Sequence, residues 1–169
     1  MRLPMMAGLC ALLCACNGVD QANEQSNIEN AALAAMGAPL PKGWRYSSRH
    51  DEIRGGEQRM AARVNDDTDP LLANAVTLAV QFDPEGPPAV FFNAVNGTLD
   101  CPSTCGVAYR ADNRTGVWSG RGLDSERLLL DDDPDVVKTL LSARTLIVEL
   151  PTERSAQYRF DLTGLRVSR

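Results

Sequence analysis

The sequence predicts a mainly β domain, an antiparallel β-sandwich or a partly open barrel with one short helix. Three observations lead to this prediction. Apolar and polar residues alternate in several segments of strand length. Turn-forming residues separate these segments. One later segment has helical spacing instead, directly after a residue suited to cap a helix.

Five segments show the period-2 alternation of half-buried strands. In the first of them Met60, Ala62 and Val64 share one face, opposite to the face that carries two arginines. The five segments are Arg59–Val64, Ala75–Phe82, Val107–Ala111, Thr145–Leu150 and Gln157–Leu162.

Loop and turn chemistry separates these segments. Asn65–Pro70 and Asp83–Pro88 read as loops, and Asn96-Gly97 and Asp112–Gly116 read as hairpin turns. Short strands divided by such turns are typical of sandwiches and partly open barrels.

The helix is predicted over residues 134–143. Asp133 is suited to the N-cap, Pro134 to the first helical position, and Asp135 complements the helix dipole. An apolar stripe at helical spacing follows. It consists of Val136, Val137, Leu140 and Leu141.

The N-terminus resembles a bacterial lipoprotein signal. Arg2 precedes an uncharged apolar run that is too short to span a bilayer as a helix, which needs about 20 residues. Leu13-Cys14-Ala15-Cys16 matches the pattern of an aliphatic residue, a loosely specified one, a small one and cysteine. An ordinary secretory signal cut after Ala15, with Cys16 as a free thiol, is the alternative. We expect a signal peptide over 1–15, a flexible tether over 16–41 and the β domain over 42–169.

The lipoprotein resemblance implies lipidation of Cys16, with a diacylglyceryl thioether and an amide-linked acyl group such as palmitate. Two or more acyl groups give stable anchoring to a lipid bilayer. Asn17 in the next position favours a periplasm-facing location on the outer membrane, while the inner membrane and the cell surface stay open.

The charge of the protein argues against nucleic acid as a partner. The 17 basic and 22 acidic residues give a net charge of −5, and no basic cluster stands out. No motif for a cofactor is present, and we expect none.

Cys101 and Cys105 are predicted to form a disulfide, because nearby cysteines pair in an oxidising compartment. A redox pair would more typically be spaced Cys-x-x-Cys at a helix N-terminus. Zinc is less favoured still, since two thiolates and one remote histidine fall short of four ligands.

No catalytic centre is predicted. His50, the sole histidine, lies among charged residues as in a solvated loop, and there is no Gly-x-Ser-x-Gly elbow. Asp131–Asp135 could bind Ca²⁺, but helix capping explains its carboxylates without a metal. An enzyme that uses carboxylates is the disfavoured alternative.

Binding is predicted at exposed loops and aromatic residues. The candidate loop residues are Asp83, Glu85, Asn113, Arg114 and Trp118. Trp44 and Tyr46 open a strand, where they serve either as an edge anchor or as a ligand platform.

These residues together resemble a family of small proteobacterial exported proteins and lipoproteins. The resemblance spans about residues 43–167. It lies in Trp44-x-Tyr46 followed by Asp51, in the close cysteine pair, and in the closing Phe160–Leu165. The usual Met two residues after the Asp is replaced by Ile53. The family implies a β-sandwich without established catalytic residues. The sequence is more distantly similar to invasion-associated exported proteins and to type VI secretion accessory proteins.

The first functional hypothesis is therefore a non-enzymatic, membrane-anchored protein whose β domain binds an envelope protein. The second is an inhibitor or immunity-type lipoprotein that blocks a cell-wall hydrolase or a delivered toxin. Such an inhibitor would present a protruding loop, for which Asp83–Pro88 and Asp112–Gly120 are the candidates.

Overall fold

The computed structural model describes residues 42–51, 56–66, 75–83, 86–95, 97–152 and 156–166. The predicted signal peptide (1–15) and the predicted tether (16–41), which begins with Cys16, lie outside these ranges. Within them the protein forms nine strands and one helix, which we number in sequence order. They are β1 (Arg45–Asp51), β2 (Gly56–Val64), β3 (Val76–Phe82), β4 (Ala89–Ala94), β5 (Cys105–Ala111), β6 (Arg114–Gly122), β7 (Arg127–Leu130), α1 (Pro134–Ser142), β8 (Thr145–Leu150) and β9 (Ala156–Asp161).

All nine strands belong to one antiparallel sheet that curls into a half-barrel, as the sequence predicted. The strand order is β1-β2-β3-β4-β7-β6-β5-β8-β9. Strands β5, β6 and β7 form a meander, and β8 returns through α1 to pair with β5. This four-strand arrangement is a Greek key.

The connection from β4 to β5 corrects one predicted hairpin turn. Strand β4 pairs with β7, so the segment that contains Gly97 crosses the sheet instead of joining two neighbours. Leu99 N–H donates to the carbonyl of Ser125 at 2.7 Å, which fastens the crossing to the β6–β7 turn. The other predicted turn is confirmed, since Asp112 and Asn113 join β5 to β6.

The hydrophobic core lies on the concave face of the curled sheet. Its central rings, Phe92 and Phe160, lie 6.1 Å apart between centroids, on opposite sides of the half-barrel. The largest fully buried side chains are Phe92, Phe160, Leu78, Leu128, Leu140, Leu146, Leu150, Val76, Val80, Val107, Val136 and Val148.

Helix α1 begins and ends as predicted, to within a residue. The Asp133 side chain accepts a hydrogen bond from the Asp135 N–H at 2.8 Å, which satisfies one of the free donors of the first turn. Val136 and Leu140 are buried in the core, whereas Leu141 is 44% exposed. The buried part of the predicted apolar stripe is therefore narrower than the sequence indicated.

Strand β2 turns a charged row toward the concave face. Ala61 is opposite Val80 and Arg63 opposite Leu78, so the arginine row of β2 lies on the same side as the core residues of β3. The opposite row of β2, which carries Met60, Ala62 and Val64, is not wholly exposed, since Val64 is buried and Met60 is half-buried. This inward charged row positions the site described next.

Candidate functional site at the sheet seam

Side-chain contacts and one backbone hydrogen bond join the two edges of the half-barrel where they approach each other. We call this region the seam: β1 and β2 on one side, β9 and residues 162–166 on the other. The Tyr46 hydroxyl donates to the carbonyl of Gly164 at 2.5 Å and accepts from the Arg166 N–H at 2.9 Å. The Asp66 N–H donates to the carbonyl of Arg159 at 2.7 Å. No strand pairing joins the two edges within the described residues.

A groove of about 690 Å³ runs along the seam. Its wall combines aromatic rings with guanidinium groups, a combination typical of sites that bind amphipathic ligands. We call it the seam groove. The lining residues that matter here are Trp44, Tyr46, Arg59, Arg63, Phe82 and Arg166.

Arg63 is the buried charge of this groove. Its side chain is 9% exposed, and Nη2 lies 2.7 Å from Oδ1 of Asp66 and 3.6 Å from Oδ2 of Asp161. Buried charges persist in proteins when they are paired, and these two carboxylates supply the pairing. Because Asp161 ends β9, the ion pair between Arg63 and Asp161 also bridges the seam.

Two residues that line the groove each have a buried donor without a hydrogen-bond partner in the part of the protein that the structure describes. The donors are Nε of Arg63 and Nε1 of Trp44. A buried donor without an acceptor costs about 1–3 kcal/mol. Among the described residues Nε1 of Trp118 and Oγ1 of Thr139 in the core also lack a partner, so unpaired buried atoms are not confined to the groove.

Asp161 stays ionised because its neighbours favour the charged form. The hydroxyl of Thr163 donates to Oδ1, and the Thr163 N–H donates to the same atom at 2.8 Å. These two bonds lower the pKa of Asp161, with a smaller contribution from Arg63, and outweigh the opposing effect of burial. The counter-charge of Arg63 is therefore fixed in place.

The mouth of the groove carries Glu57, whose ionised form is also favoured. Hydrogen bonds from Arg59 and then Ser48 lower the pKa of Glu57, and His50 contributes a smaller charge effect. Nη2 of Arg59 lies 2.9 Å from Oε2 of Glu57. A carboxylate with a lowered pKa is a weak base, so Glu57 is poorly suited to act as a general base.

The predicted loop residues Asn113, Arg114 and Trp118 lie elsewhere, and two of them, Arg114 and Trp118, belong to strand β6 instead of a loop. Trp118 is 4% exposed in β6, with its ring stacked on Tyr109 at 3.9 Å between centroids, so it is a core residue. Asn113 is exposed in the β5–β6 turn, and Arg114 forms an ion pair with Asp135 at 3.2 Å. None of these three residues lines the seam groove.

The sequence offered two segments, 83–88 and 112–120, as the protruding loop of an inhibitor. Residues 112–120 form the β5–β6 hairpin, with only a two-residue turn, so this segment is not the protruding loop that was predicted. In the other candidate, Asp83 is half-buried after β3, and Glu85 lies outside the described residues.

Sequence reasoning missed the arginines of β2 as site residues. The signal was present, because Ala61 between Arg59 and Arg63 makes this row as compatible with a half-buried face as the apolar one. Trp44 and Tyr46, which the sequence offered as an anchor or a platform, both line the groove.

The cysteine pair is confirmed as a disulfide. Cys101 and Cys105 are bonded to each other, with their Cα atoms 5.7 Å apart. Cys101 is buried at the end of the β4–β5 crossing, and Cys105 opens β5. The bond therefore fixes the crossing to the sheet.

Metal-binding and membrane-spanning features were sought over the same described ranges. No group of three or more His, Cys, Asp or Glu side chains lies close enough to hold a metal ion there. The one helix described is too short to cross a membrane.

No family model, curated protein or solved structure matches the sequence.

Proposed function

We propose that the protein is an exported lipoprotein, anchored to a bilayer through acylated Cys16, whose β domain binds an envelope protein in the seam groove. The observation that carries the binding role is the groove itself: a concave surface with aromatic walls and inward arginines. Grooves of this size and composition are the usual places where globular domains bind ligands.

The anchor and the groove are compatible in space. A flexible tether over residues 16–41 would hold the domain roughly 30 Å from the bilayer. The groove lies close to the point where the tether would join the domain, since Gly43 and Trp44 both line it. A partner that projects from the same membrane or from the cell wall would meet the groove within this reach.

The proposed role is not catalytic. The carboxylate of Glu57 is held in its ionised form by Arg59 and Ser48, so it is a poor proton acceptor at neutral pH. Replacing His50 by alanine should leave partner binding unchanged, because the proposal gives no step to its imidazole.

The binding role is tested by photo-crosslinking in living cells. A photoreactive residue at Ser48, on the groove, should give an adduct of one defined mass with an envelope protein. The control position is Ser119, an exposed residue of β6 outside the groove, where we expect no such adduct. The identity of the captured protein decides between a structural partner and a cell-wall hydrolase or delivered toxin.

Adducts at Ser119 and Ser48 with the same proteins would contradict a specific groove, and so would no adduct at Ser48.

The anchor is tested separately. Cys16→Ser should abolish acyl labelling and release the protein to the periplasm, and a variant that stays acylated and membrane-bound would refute lipidation at Cys16.

A further inference from the structure

We propose that strand β1 pairs edge to edge with β1 of a second copy of this chain, as an antiparallel ladder around a two-fold axis at Ser48. Strand β1 is an end strand of the sheet, paired on one side with β2. The inference goes beyond the proposed function, because it does not depend on what the seam groove binds.

The backbone groups at the free edge of β1 follow from the ladder. In antiparallel sheets, successive residues direct their N–H and C=O alternately to one neighbouring strand and to the other. The Asn65 N–H donates to the Val76 carbonyl at 3.0 Å, in register with the β2–β3 pairing, so the odd-numbered residues of β2 bond to β3. The even-numbered residues of β2 therefore bond to the odd-numbered residues of β1. Tyr46, Ser48 and His50 are thus the residues whose N–H and C=O point away from the sheet.

This edge is open to a partner. Residues 46–50 are exposed, and among the described residues no backbone hydrogen bond joins this edge to another element. The pairing with β2 has no bulge, and the strand contains neither proline nor lysine, the usual means of blunting an edge. Tyr46 contacts Gly164 and Arg166 through its hydroxyl, which leaves its backbone edge uncovered. A regular, exposed edge of this kind is a template for another strand.

The edge of β9, at the other end of the sheet, differs in this respect. The Asp66 N–H donates to the carbonyl of Arg159 in the middle of β9 at 2.7 Å. A strand that approached β9 would have to displace this bond. The two ends of the sheet are therefore not equivalent, and β1 is the end that can be extended.

The charges along β1 favour a second copy and fix the register. Self-pairing must match outward-pointing residues with each other, so the ladder can centre on Ser47, Ser48 or Arg49. Centring on Ser48 pairs all seven residues and places Arg45 opposite Asp51 at both ends, which brings opposite charges together. Centring on Ser47 places Arg45 opposite Arg49, and centring on Arg49 places that residue opposite itself. Like charges in opposite positions destabilise a ladder, so the register at Ser48 is selected.

The second copy would also extend the seam groove. Tyr46 pairs with Ala61 and Ser48 with Arg59, so this row of β1 faces the concave side with the inward row of β2. Tyr46 and Ser48 line the groove. In the proposed register His50 of the second copy lies opposite Tyr46, on the same face. The two grooves of the dimer would therefore be neighbours across the two-fold axis, each with His50 of the other copy at its rim.

The test is oxidative crosslinking of the full chain in living cells. Ser48→Cys places two cysteines opposite each other, with Cα atoms about 5.5 Å apart as in any hydrogen-bonded antiparallel pair, which is within the range of a disulfide. Copper phenanthroline should give a species of twice the chain mass that reductant removes. The matched control is Ser47→Cys, which is also exposed but lies diagonally from its copy, beyond the limit of about 7 Å. It should give no more of this species than the parent chain, which carries neither substitution.

Charge variants test the register in the Ser48→Cys background. In the proposed ladder Ser47 lies opposite Arg49 of the second copy, and the symmetry repeats this pair. Ser47→Arg places like charges opposite each other twice and should lower the crosslinked fraction severalfold. Ser47→Glu places opposite charges there and should not lower it. Yields are compared at equal amounts of membrane-bound chain, so poor folding is not mistaken for lost pairing.

The outcomes that contradict the dimer are distinct. No crosslink with Ser48→Cys at a normal amount of chain, equal crosslinking of Ser47→Cys and Ser48→Cys, or adducts of Ser48→Cys only with other proteins would each overturn the inference. Equal yields from Ser47→Arg and Ser47→Glu would refute the register. Any of these results leaves the proposed function standing. In the photo-crosslinking experiment a self-adduct at Ser48 has twice the chain mass, which distinguishes it from an adduct with an envelope protein.

Discussion

Replacing Gly122 by alanine tests how tightly the β4–β5 crossing packs on the sheet. Gly122 ends β6, with its Cα directed at the backbone of Cys101. A Cβ at this position would overlap the carbonyl oxygen of Cys101 and lie 3.2 Å from its carbonyl carbon. Real carbon–oxygen contacts seldom fall below about 3.3 Å, so one of the two backbones must move.

The backbone of Cys101 cannot move without a loss of stability. Cys101 is 4% exposed, is bonded to Cys105, and donates its N–H to the carbonyl of Leu99 at 3.0 Å. Forcing an extra carbon into such packing costs about 1–3 kcal/mol. The lower entropy of the unfolded alanine variant returns about 0.4–1 kcal/mol. The expected net destabilisation of Gly122→Ala is therefore about 1–2 kcal/mol.

The matched control is Gly106→Ala in the neighbouring strand β5. Its Cβ would lie 3.0 Å from Cγ1 of Val117, a side chain that is 69% exposed and is able to move aside. Urea denaturation of both variants measures the free energy of unfolding, and we expect a change within about 0.5 kcal/mol for Gly106→Ala. If Gly122→Ala were as stable as the parent or as Gly106→Ala, the close packing of the crossing would be wrong.

Three further predictions concern the cap, the disulfide and acid stability. Asp133→Ala should destabilise the domain by about 1 kcal/mol through loss of the N-cap bond, while Asp132→Ala, one residue before it, should not. Serine at both Cys101 and Cys105 should lower the free energy of unfolding by about 2 kcal/mol on the loop-closure entropy model, and unreduced protein should contain no alkylatable thiol at these positions. Because the pKa of Asp161 is lowered in the folded state, its contribution is complete above about pH 4 and is lost as the pH falls through the folded pKa. Asp161→Asn should therefore show a flatter melting temperature between about pH 5 and pH 2 than the parent, and an unchanged acid profile would contradict its role.

Local patterns were sufficient for much of the fold. Alternation over Val76–Phe82 and Thr145–Leu150 indicates a sheet with one buried face, and the structure has strands there. Asp133 marks the start of α1, because its side chain accepts a hydrogen bond from the free backbone N–H of Asp135 in the first turn. These features depend on neighbours within a few residues, which a sequence shows directly.

Strand β6 was missed for a physical reason. Its inward positions include Gly116, Trp118 and Gly120. Two of these three positions have no side chain, so the segment lacks the alternation of apolar and polar residues that predicts a strand. Glycine is needed at Gly116 because a Cβ there would lie 2.8 Å from the ring of Tyr109, which stacks on Trp118. The tryptophan therefore resembles a loop aromatic in the sequence, although the glycines make room for its stack.

Long-range pairing was also beyond the local pattern. Consecutive strands are usually neighbours, so Asn96-Gly97 indicates a turn between them. On the edge away from β3, strand β4 instead pairs with β7, which follows more than thirty residues later. Nothing within the turn dipeptide distinguishes a hairpin from a crossing.

The arginines of β2, which the sequence did not indicate as site residues, lie where the sheet stays open. A closed barrel would bury the inward row of β2, and unpaired arginines there would be too costly to keep. In this half-barrel Arg63 pairs with Asp161 across the seam, and Tyr46 bonds to the segment after β9, so side chains replace a strand ladder. Side-chain bridges leave gaps that a ladder would fill, and the seam groove is such a gap. The arginine row of β2 that lies beside the open seam thus also lines the groove in which we propose that a partner binds.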